Sequence, residues 1–207
     1  MSKQAQKRRV QVSAPQNQWR PASAAARKNV VCLAGLLSKG DDWTKAAIDE
    51  AIFEDVDGTR VVDARIPSPG HLARIEATNN AGQDICQHAE LLHYFGDGLL
   101  CFPFTATFSA EIAYSVSKAD YAKLPVERKR KAKLVPKGKA GGICTEGCTL
   151  HIKALATIDL DAKGQTVIGS AGASPKDLQH IVATTCFGVG AIRAVRIVSF
   201  GDRFLKK

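Results

Sequence analysis

The sequence predicts a mainly β fold with helical insertions, of the α+β class: an antiparallel β domain preceded by a disordered basic arm. Three observations lead to this prediction. Residues 1–29 hold seven Lys or Arg and no Asp or Glu. Helical periodicity is concentrated between residues 41 and 95. From residue 99 to residue 117, LLCFPFTATFSAEIAYSVS, apolar side chains alternate with smaller or polar ones, which is the period of a strand.

The disordered arm, residues 1–29, is expected to precede a single globular β-rich domain, residues 30–207. The arm is rich in Gln, Ser and Ala, and Pro15 and Pro21 interrupt any helix. Few of its side chains could be buried, which favours disorder. Two alternatives stay open: a solvated tail without a partner, and a mitochondrial presequence, which is also basic and poor in acids.

The first half of the domain is predicted to contain two helices and a strand. Residues 41–53 place Trp43 and Ile48 on one helical face. Residues 59–66 are predicted to form a strand, which the following prolines end. Residues 83–95 return to helical spacing and are predicted to form the second helix.

The second half is predicted to be dominated by strands. The alternating segment is either one very long bent strand or two strands with a break near Ser109. Further strands are predicted over residues 148–160, 165–169 and 189–200. Two prolines, three glycines and a basic run make residues 125–142 a loop by composition.

Positive charge is concentrated in two segments of the chain. The formal net charge is +9, and residues 1–40 carry +8 while residues 118–139 carry +7. The remaining residues are left with a net charge of −6. A mildly acidic globule with two basic appendages indicates a polyanionic partner.

The residues expected to contact nucleic acid are basic residues of these two segments and one aromatic. Flexible Lys and Arg side chains can follow phosphates without reading bases. Trp19 could stack on a base or pack onto the protein's own surface. The set is Lys3, Lys7, Arg8, Arg9, Trp19, Arg20, Arg27, Lys28, Arg128, Lys129, Arg130, Lys131, Lys133, Lys137 and Lys139. The second segment also resembles a nuclear-import signal, and a solvated loop is its plainer interpretation.

Two smaller motifs could hold a ligand but have simpler explanations. Cys144, Cys148 and His151 could ligate zinc, but their spacing is unusual and no fourth ligand is placed nearby, so no metal is predicted. The segment from Gly169 to Ser174 could wrap an anion, yet it lacks the residues of a P-loop. A turn followed by Ser174 as the N-cap of a helix from Pro175 to about Val182 is expected instead.

No catalytic set is found, so the chain is not expected to be an enzyme and no cofactor is expected. Neither G-x-S-x-G nor H-E-x-x-H occurs. Cys86 near His88 and His93 is too little to indicate a nucleophile and its base. All six cysteines are expected to be reduced, because no secretory signal is found. No apolar run reaches the ~20 residues of a membrane helix, so no membrane partner is expected.

The chain combines a basic, proline-containing arm with a β-rich body. The segments that show this layout are Gln4-Ala-Gln-Lys-Arg-Arg9, Asn17-Gln-Trp-Arg20 and the alternating strand from Leu100 to Val116. This layout resembles the coat proteins of small positive-strand RNA plant viruses, the bromovirus-like group in particular. The resemblance implies an antiparallel β-sandwich in the form of an eight-stranded jelly roll, symmetric self-assembly and packaging of single-stranded RNA. It also implies a location in the virion and the host cytoplasm.

The function expected from these patterns is that of a structural coat protein. Many copies would form a capsid and package single-stranded RNA through the basic arm. The alternative is an RNA-binding protein of a ribosome or other ribonucleoprotein, including an organellar one, present as one copy per particle. A third hypothesis is an enzyme with a metal or phosphate site around residues 144–151 or 169–174.

Overall fold

The computed structural model describes residues 23–95, 98–184 and 187–201, and in these residues seven strands form one antiparallel sheet. The strands are β1 Arg60–Val62, β2 Leu72–Gln87, β3 His93–Tyr94, β4 Leu99–Ser117, β5 Lys133–Lys137, β6 Gly141–Asp159 and β7 Phe187–Phe200. The order across the sheet is β1-β2-β4-β6-β5, with β3 also paired to β4 and β7 also paired to β6. β5 and β7 therefore lie end to end along the same side of β6.

Six α-helices lie within the described residues. They are α1 Ala24–Lys39, α2 Asp41–Asp55, α3 Lys118–Lys123, α4 Val126–Lys131, α5 Ala162–Gly169 and α6 Pro175–Thr184. None of them combines the length and the apolar character that crossing a bilayer requires. Helices beside an antiparallel sheet confirm the predicted α+β class.

The centre of the sheet is the pair of long strands β4 and β6, each of 19 residues. They pair over their whole length, from Leu99 opposite Asp159 to Ser117 opposite Gly141. The even-numbered side chains of both strands are buried, and successive side chains of a strand point to opposite faces. We call the face with the even-numbered residues of β4 and β6 the core face, and the opposite one the open face. The alternation predicted from the sequence is confirmed, without a break near Ser109.

The helices build the core on one side of the sheet only. Leu33 and Leu37 of α1 and Ile52 of α2 are at most 1% exposed and belong to the same buried cluster as Phe102 and Phe104 of the core face. The cluster also takes in residues of α5 and α6, namely Ile168, Leu178 and Ile181. Burial of this apolar surface is the main stabilising contribution to the fold.

The predicted jelly-roll-like sandwich differs from the structure, because the described strands form one open sheet rather than two facing sheets. Helices occupy the place that a second sheet would have in a sandwich. The helix predicted over residues 41–53 is confirmed as α2 and contributes to this layer. Its Trp43 ring meets the ring of Phe187 edge-on, with centroids 5.5 Å apart.

The helix predicted over residues 83–95 is wrong. These residues complete β2, pass through a 3-10 turn at Ala89–Leu91 and form β3. In β2, Ile85 lies opposite Ala106 and Cys86 opposite Thr105 of β4. Pairing with a long central strand outweighs the local helical spacing, since propensity is a weak prior against tertiary context.

Residues 165–169, predicted as a strand, lie in α5. The side chain of Asp161 caps this helix by accepting a hydrogen bond from the Gly164 amide at 2.7 Å. The predicted loop over residues 125–142 contains α4 and β5, and the predicted strand over 59–66 is reduced to β1.

The strands predicted over residues 148–160 and 189–200 are confirmed as β6 and β7, which both begin earlier. The helix predicted from Pro175 is confirmed as α6 and runs to Thr184.

The first helix begins inside the segment that the sequence assigned to the arm. α1 starts at Ala24, and the Ser23 side chain caps it by accepting from the Ala26 amide at 3.1 Å. The Asn29 amide group donates to the carbonyl oxygens of Ile168 at 2.9 Å and Ser170 at 2.8 Å, which ties α1 to α5. Residues 24–29, which the sequence assigned to the arm, are therefore part of a helix that packs on the body.

Candidate nucleic-acid interface

The basic residues predicted in the arm divide into two groups. Lys3, Lys7, Arg8, Arg9, Trp19 and Arg20 lie outside the described residues. Arg27 and Lys28 are exposed on the first turn of α1, which contains no acidic residue. Cations at a helix N-terminus oppose the helix dipole. These two exposed side chains are therefore not placed to stabilise α1 through its dipole.

The second predicted basic segment carries five exposed cations. Arg130 and Lys131 end α4, Lys133 and Lys137 lie on β5, and Lys139 is in the turn to β6, and all five are exposed. We call these five residues the basic ridge. β5 is the last strand of the sheet in the described residues, and Lys side chains on an edge strand also discourage unwanted strand pairing. The ridge has both a structural explanation and the charge density that a phosphate backbone requires.

Arg128 stands apart from the ridge because it faces the interior. Its Nε donates to Glu146 Oε2 at 3.0 Å, and its Nη2 is hydrogen-bonded to Glu146 Oε1. The side chains of Arg128 and Glu146 are 11% and 0% exposed. Arg128 also stacks on the Phe200 ring, 3.7 Å from its centroid. The structure thus gives this predicted RNA contact an internal partner instead.

Tyr114 completes the buried cluster around Glu146. Its hydroxyl donates to Glu146 Oε1 at 2.8 Å. Burial raises the pKa of Tyr114 far above the ordinary phenol range, and the neighbouring Cys144 and Glu146 add to the effect. Burial would lower the pKa of Arg128, but its hydrogen bonds to Glu146 outweigh this, so the pKa is raised overall. Arg128 is therefore the cation that compensates a carboxylate on the core face.

Lys129 is intermediate between Arg128, which faces the interior, and the exposed residues of the basic ridge. It is half-buried, and its Nζ donates to the Ala122 carbonyl at 3.0 Å. This bond links α4 back to α3, so part of the ammonium's hydrogen-bonding capacity is used within the protein. The predicted set thus separates by position along α4: Arg128 is internal, Lys129 is intermediate and Arg130 is exposed.

The open face is a further polar surface, which the sequence analysis did not identify. On β4 it presents Thr105, Thr107 and Ser109, and on β6 it presents Thr149 and His151. The alternation of residues 99–117 does contain this information, since the positions between the buried ones are small and hydroxyl-bearing. Locating the face required the register of β6, which the sequence does not specify.

The alternation of side chains along β6 excludes a zinc site formed by Cys144, Cys148 and His151. Cys144 and Cys148 are buried on the core face, while His151 lies on the open face and meets the Thr107 hydroxyl at 3.0 Å. Side chains on opposite faces of one strand cannot bind one ion. In the described part of the chain, no cluster of three His, Cys, Asp or Glu could hold a metal.

The segment between α5 and α6 caps a helix with the protein's own carboxylate. The Asp177 amide donates to Ser174 Oγ at 3.2 Å, and the Ser174 amide donates to an Asp177 carboxylate oxygen at 2.9 Å. Hydrogen bonds from Ser174 hold the pKa of Asp177 below its usual value. This reciprocal capping box confirms the predicted N-cap, and its negative charge disfavours an anion at the same position.

Cys86, His88 and Glu90 come close together at the end of β2. Cys86 Sγ is 4.0 Å from His88 Nε2, and His88 Nδ1 is 3.2 Å from Glu90 Oε1. The His88 and Glu90 side chains are 43% and 62% exposed. The sequence indicates no catalytic pair here, and these exposed contacts assign no reaction.

Comparison of the chain with known protein families, with curated proteins and with solved structures gave no match.

Proposed function

We propose that this chain is a structural coat protein that binds single-stranded RNA through its basic segments and assembles into a shell of many copies. The observation that carries the proposal is the separation of charge: residues 1–29 contain seven Lys or Arg and no acid, while the rest of the chain is nearly neutral. Such a segment is attracted little by a nearly neutral body and strongly by a polyanion. In this role the protein belongs in the virion and in the host cytoplasm.

The exposed positive charges of the body support the same partner. Arg27 and Lys28 extend the charge of residues 1–22 onto the surface of α1. The basic ridge adds five exposed cations on α4, β5 and the following turn. Phosphate contacts of this kind supply affinity without sequence preference.

The contacts between copies would come from the folded body. Exposed apolar side chains are found on α1, α2 and the edge strands, including Val31 at 71%, Phe53 at 52%, Val62 at 66% and Val135 at 51% exposure. Apolar surface of this kind is stabilised when a second copy covers it. The proposal does not depend on a jelly roll, because shell formation needs complementary surfaces rather than a particular sheet topology.

Particle size separates this function from the ribonucleoprotein alternative. The purified protein is mixed with single-stranded RNA, and the products are sized by light scattering and imaged by electron microscopy. The coat-protein function predicts closed particles of many copies that protect the RNA from nuclease. A single copy bound to nuclease-sensitive RNA would instead favour the ribonucleoprotein alternative, and failure to bind RNA would contradict both.

A further inference from the structure

A row of polar side chains crosses the open face on three neighbouring strands. Thr107 of β4 lies opposite His151 of β6, and His151 lies opposite Arg196 of β7. The Thr107 hydroxyl and His151 Nδ1 are 3.0 Å apart, which fixes the imidazole ring in the row. Strands lie ~4.8 Å apart, so the row is about 10 Å wide.

The rows on either side continue this surface. On one side, Lys153 of β6 lies opposite Thr105 of β4 and Ala194 of β7. On the other side, Thr149 lies opposite Ser109 and Ser199. The hydroxyl side chains are short, so the exposed side chains of Lys153 and Arg196 project beyond them.

The basic ridge reaches the same face from the other end of β6. Lys133 lies opposite Thr145, so its side chain is on the open face with that of Thr145. From Thr145 to Lys153 the strand covers eight residues, which is a distance of about 27 Å at ~3.4 Å per residue. Lys133 and the Lys153–Arg196 pair therefore lie near the two ends of one strip of the open face along β5, β6 and β7, and uncharged residues such as Thr149 lie between them.

Three acidic residues share the open face with this strip. Asp84 of β2 lies opposite Thr107, Glu111 of β4 lies opposite Gly147, and Asp159 lies at the end of β6 opposite Leu99. All the helices that contribute to the buried cluster pack on the core face. Within the described residues, the strip is a broad polar surface with cations near both ends.

We propose that this strip of the open face is a binding platform for single-stranded RNA. Lys133, Lys153 and Arg196 bind phosphates, and the held imidazole of His151 stacks on a base, as aromatic rings do in single-strand recognition. This inference rests on the proposed function and adds to it, since it places the RNA on the folded body and not only on residues 1–29. The strip's excess of cations favours a polyanion over a second copy, because a two-fold contact would bring like charges together.

The experiment compares two full-length variants that lose the same charge. In Lys153→Gln/Arg196→Gln the cations are removed from the open face. In Lys163→Gln/Lys176→Gln two exposed cations are removed from α5 and α6, on the helix side of the sheet. Affinity for a single-stranded RNA oligonucleotide is measured over a series of salt concentrations, and the melting temperature of each variant verifies folding.

We expect the open-face variant to bind at least tenfold more weakly than the helix-side variant, with a log–log salt slope shallower by about 1.4. A Lys153→Arg/Arg196→Lys variant, which keeps both charges, should retain binding. Equal binding by the open-face and helix-side variants, with wild type binding normally, would overturn the platform and leave the proposed function standing. A change in self-association without RNA would assign the strip to a subunit contact and also overturn it.

Discussion

Arg128 and Glu146 form an ion pair between α4 and the core face of β6, and both side chains are almost fully removed from solvent. Tyr114 donates a further hydrogen bond to the same carboxylate at 2.8 Å. The arginine that begins the densest run of positive charge in the chain is therefore part of the protein's interior. This relationship separates residues that hold the fold from residues that are available to RNA.

Replacing Arg128 should affect stability rather than RNA binding. Arg128→Ala leaves the Glu146 carboxylate buried without its cation, which is expected to lower the free energy of unfolding by about 3–5 kcal/mol. Arg130→Ala, one half-turn away and exposed, should change stability by less than about 0.5 kcal/mol and weaken RNA binding. Urea unfolding and RNA titration of both variants check this. Similar stability losses in the two variants would contradict the assignment.

The Arg128–Glu146 pair also shows which part of the site could not be predicted from the sequence. Arg128, Lys129 and Arg130 are indistinguishable by composition, and their environments depend on how α4 meets a strand 18 positions later. Glu146 was the informative residue in the sequence, because it falls in phase with the apolar Cys144 and Cys148 on an alternating strand. A carboxylate at such a position requires a buried partner, but the partner's identity depends on tertiary packing.

The fold was predictable where one period of apolar side chains continued over many residues. β4 is the clearest case, since its alternation extends over the whole strand. Residues 83–95 were mispredicted because their strand pairing is with β4, which lies beyond the local window. The single open sheet was missed for a related reason: the sequence shows that the even-numbered residues are buried, but not whether helices or a second sheet cover them.

Tyr114 should make stability depend on pH in the alkaline range. Its pKa is raised in the folded state, chiefly by burial. Below about pH 10 the phenol is protonated in both states, whereas at higher pH the unfolded state loses the proton and the folded state keeps it, so stability falls as pH rises. Tyr114→Phe should reduce this fall and destabilise the protein by about 1–2 kcal/mol at neutral pH. Unfolding free energies from pH 7 to pH 11 measure both effects; an unchanged alkaline slope in the variant would refute the first.

The boundary of the folded body can be tested by two truncations. Deletion of residues 1–22 removes nothing from α1 and should leave the melting temperature unchanged. Deletion of residues 1–29 removes the buried Ala26 and the Asn29 hydrogen bonds to α5, so it should destabilise the protein markedly. Asn29→Ala in the full chain should lower stability by about 1–3 kcal/mol. Thermal melts of the three proteins measure these effects. Equal melting temperatures for the two truncations would place the boundary at residue 30.

Ser174→Ala should behave as the loss of a helix cap. The substitution removes the hydroxyl that accepts from the Asp177 amide and is expected to lower stability by about 1 kcal/mol. Added inorganic phosphate should leave the melting temperature of the wild type unchanged, because the Asp177 carboxylate already occupies this helix start. Stabilisation by phosphate that disappears in Ser174→Ala would show an anion site instead.

The salt dependence of RNA binding is the most direct test of the central claim, which is that the positive charge of the N-terminal segment binds the phosphate backbone. Residues 1–22 contain five Lys or Arg. Binding of single-stranded RNA is measured from low to high salt for the full chain and for the chain lacking residues 1–22. The log–log slope should become shallower by about 3–4 on truncation, while the folded body keeps its melting temperature. Identical slopes for the two proteins would contradict the claim, because the five cations would then release no counterions from the RNA.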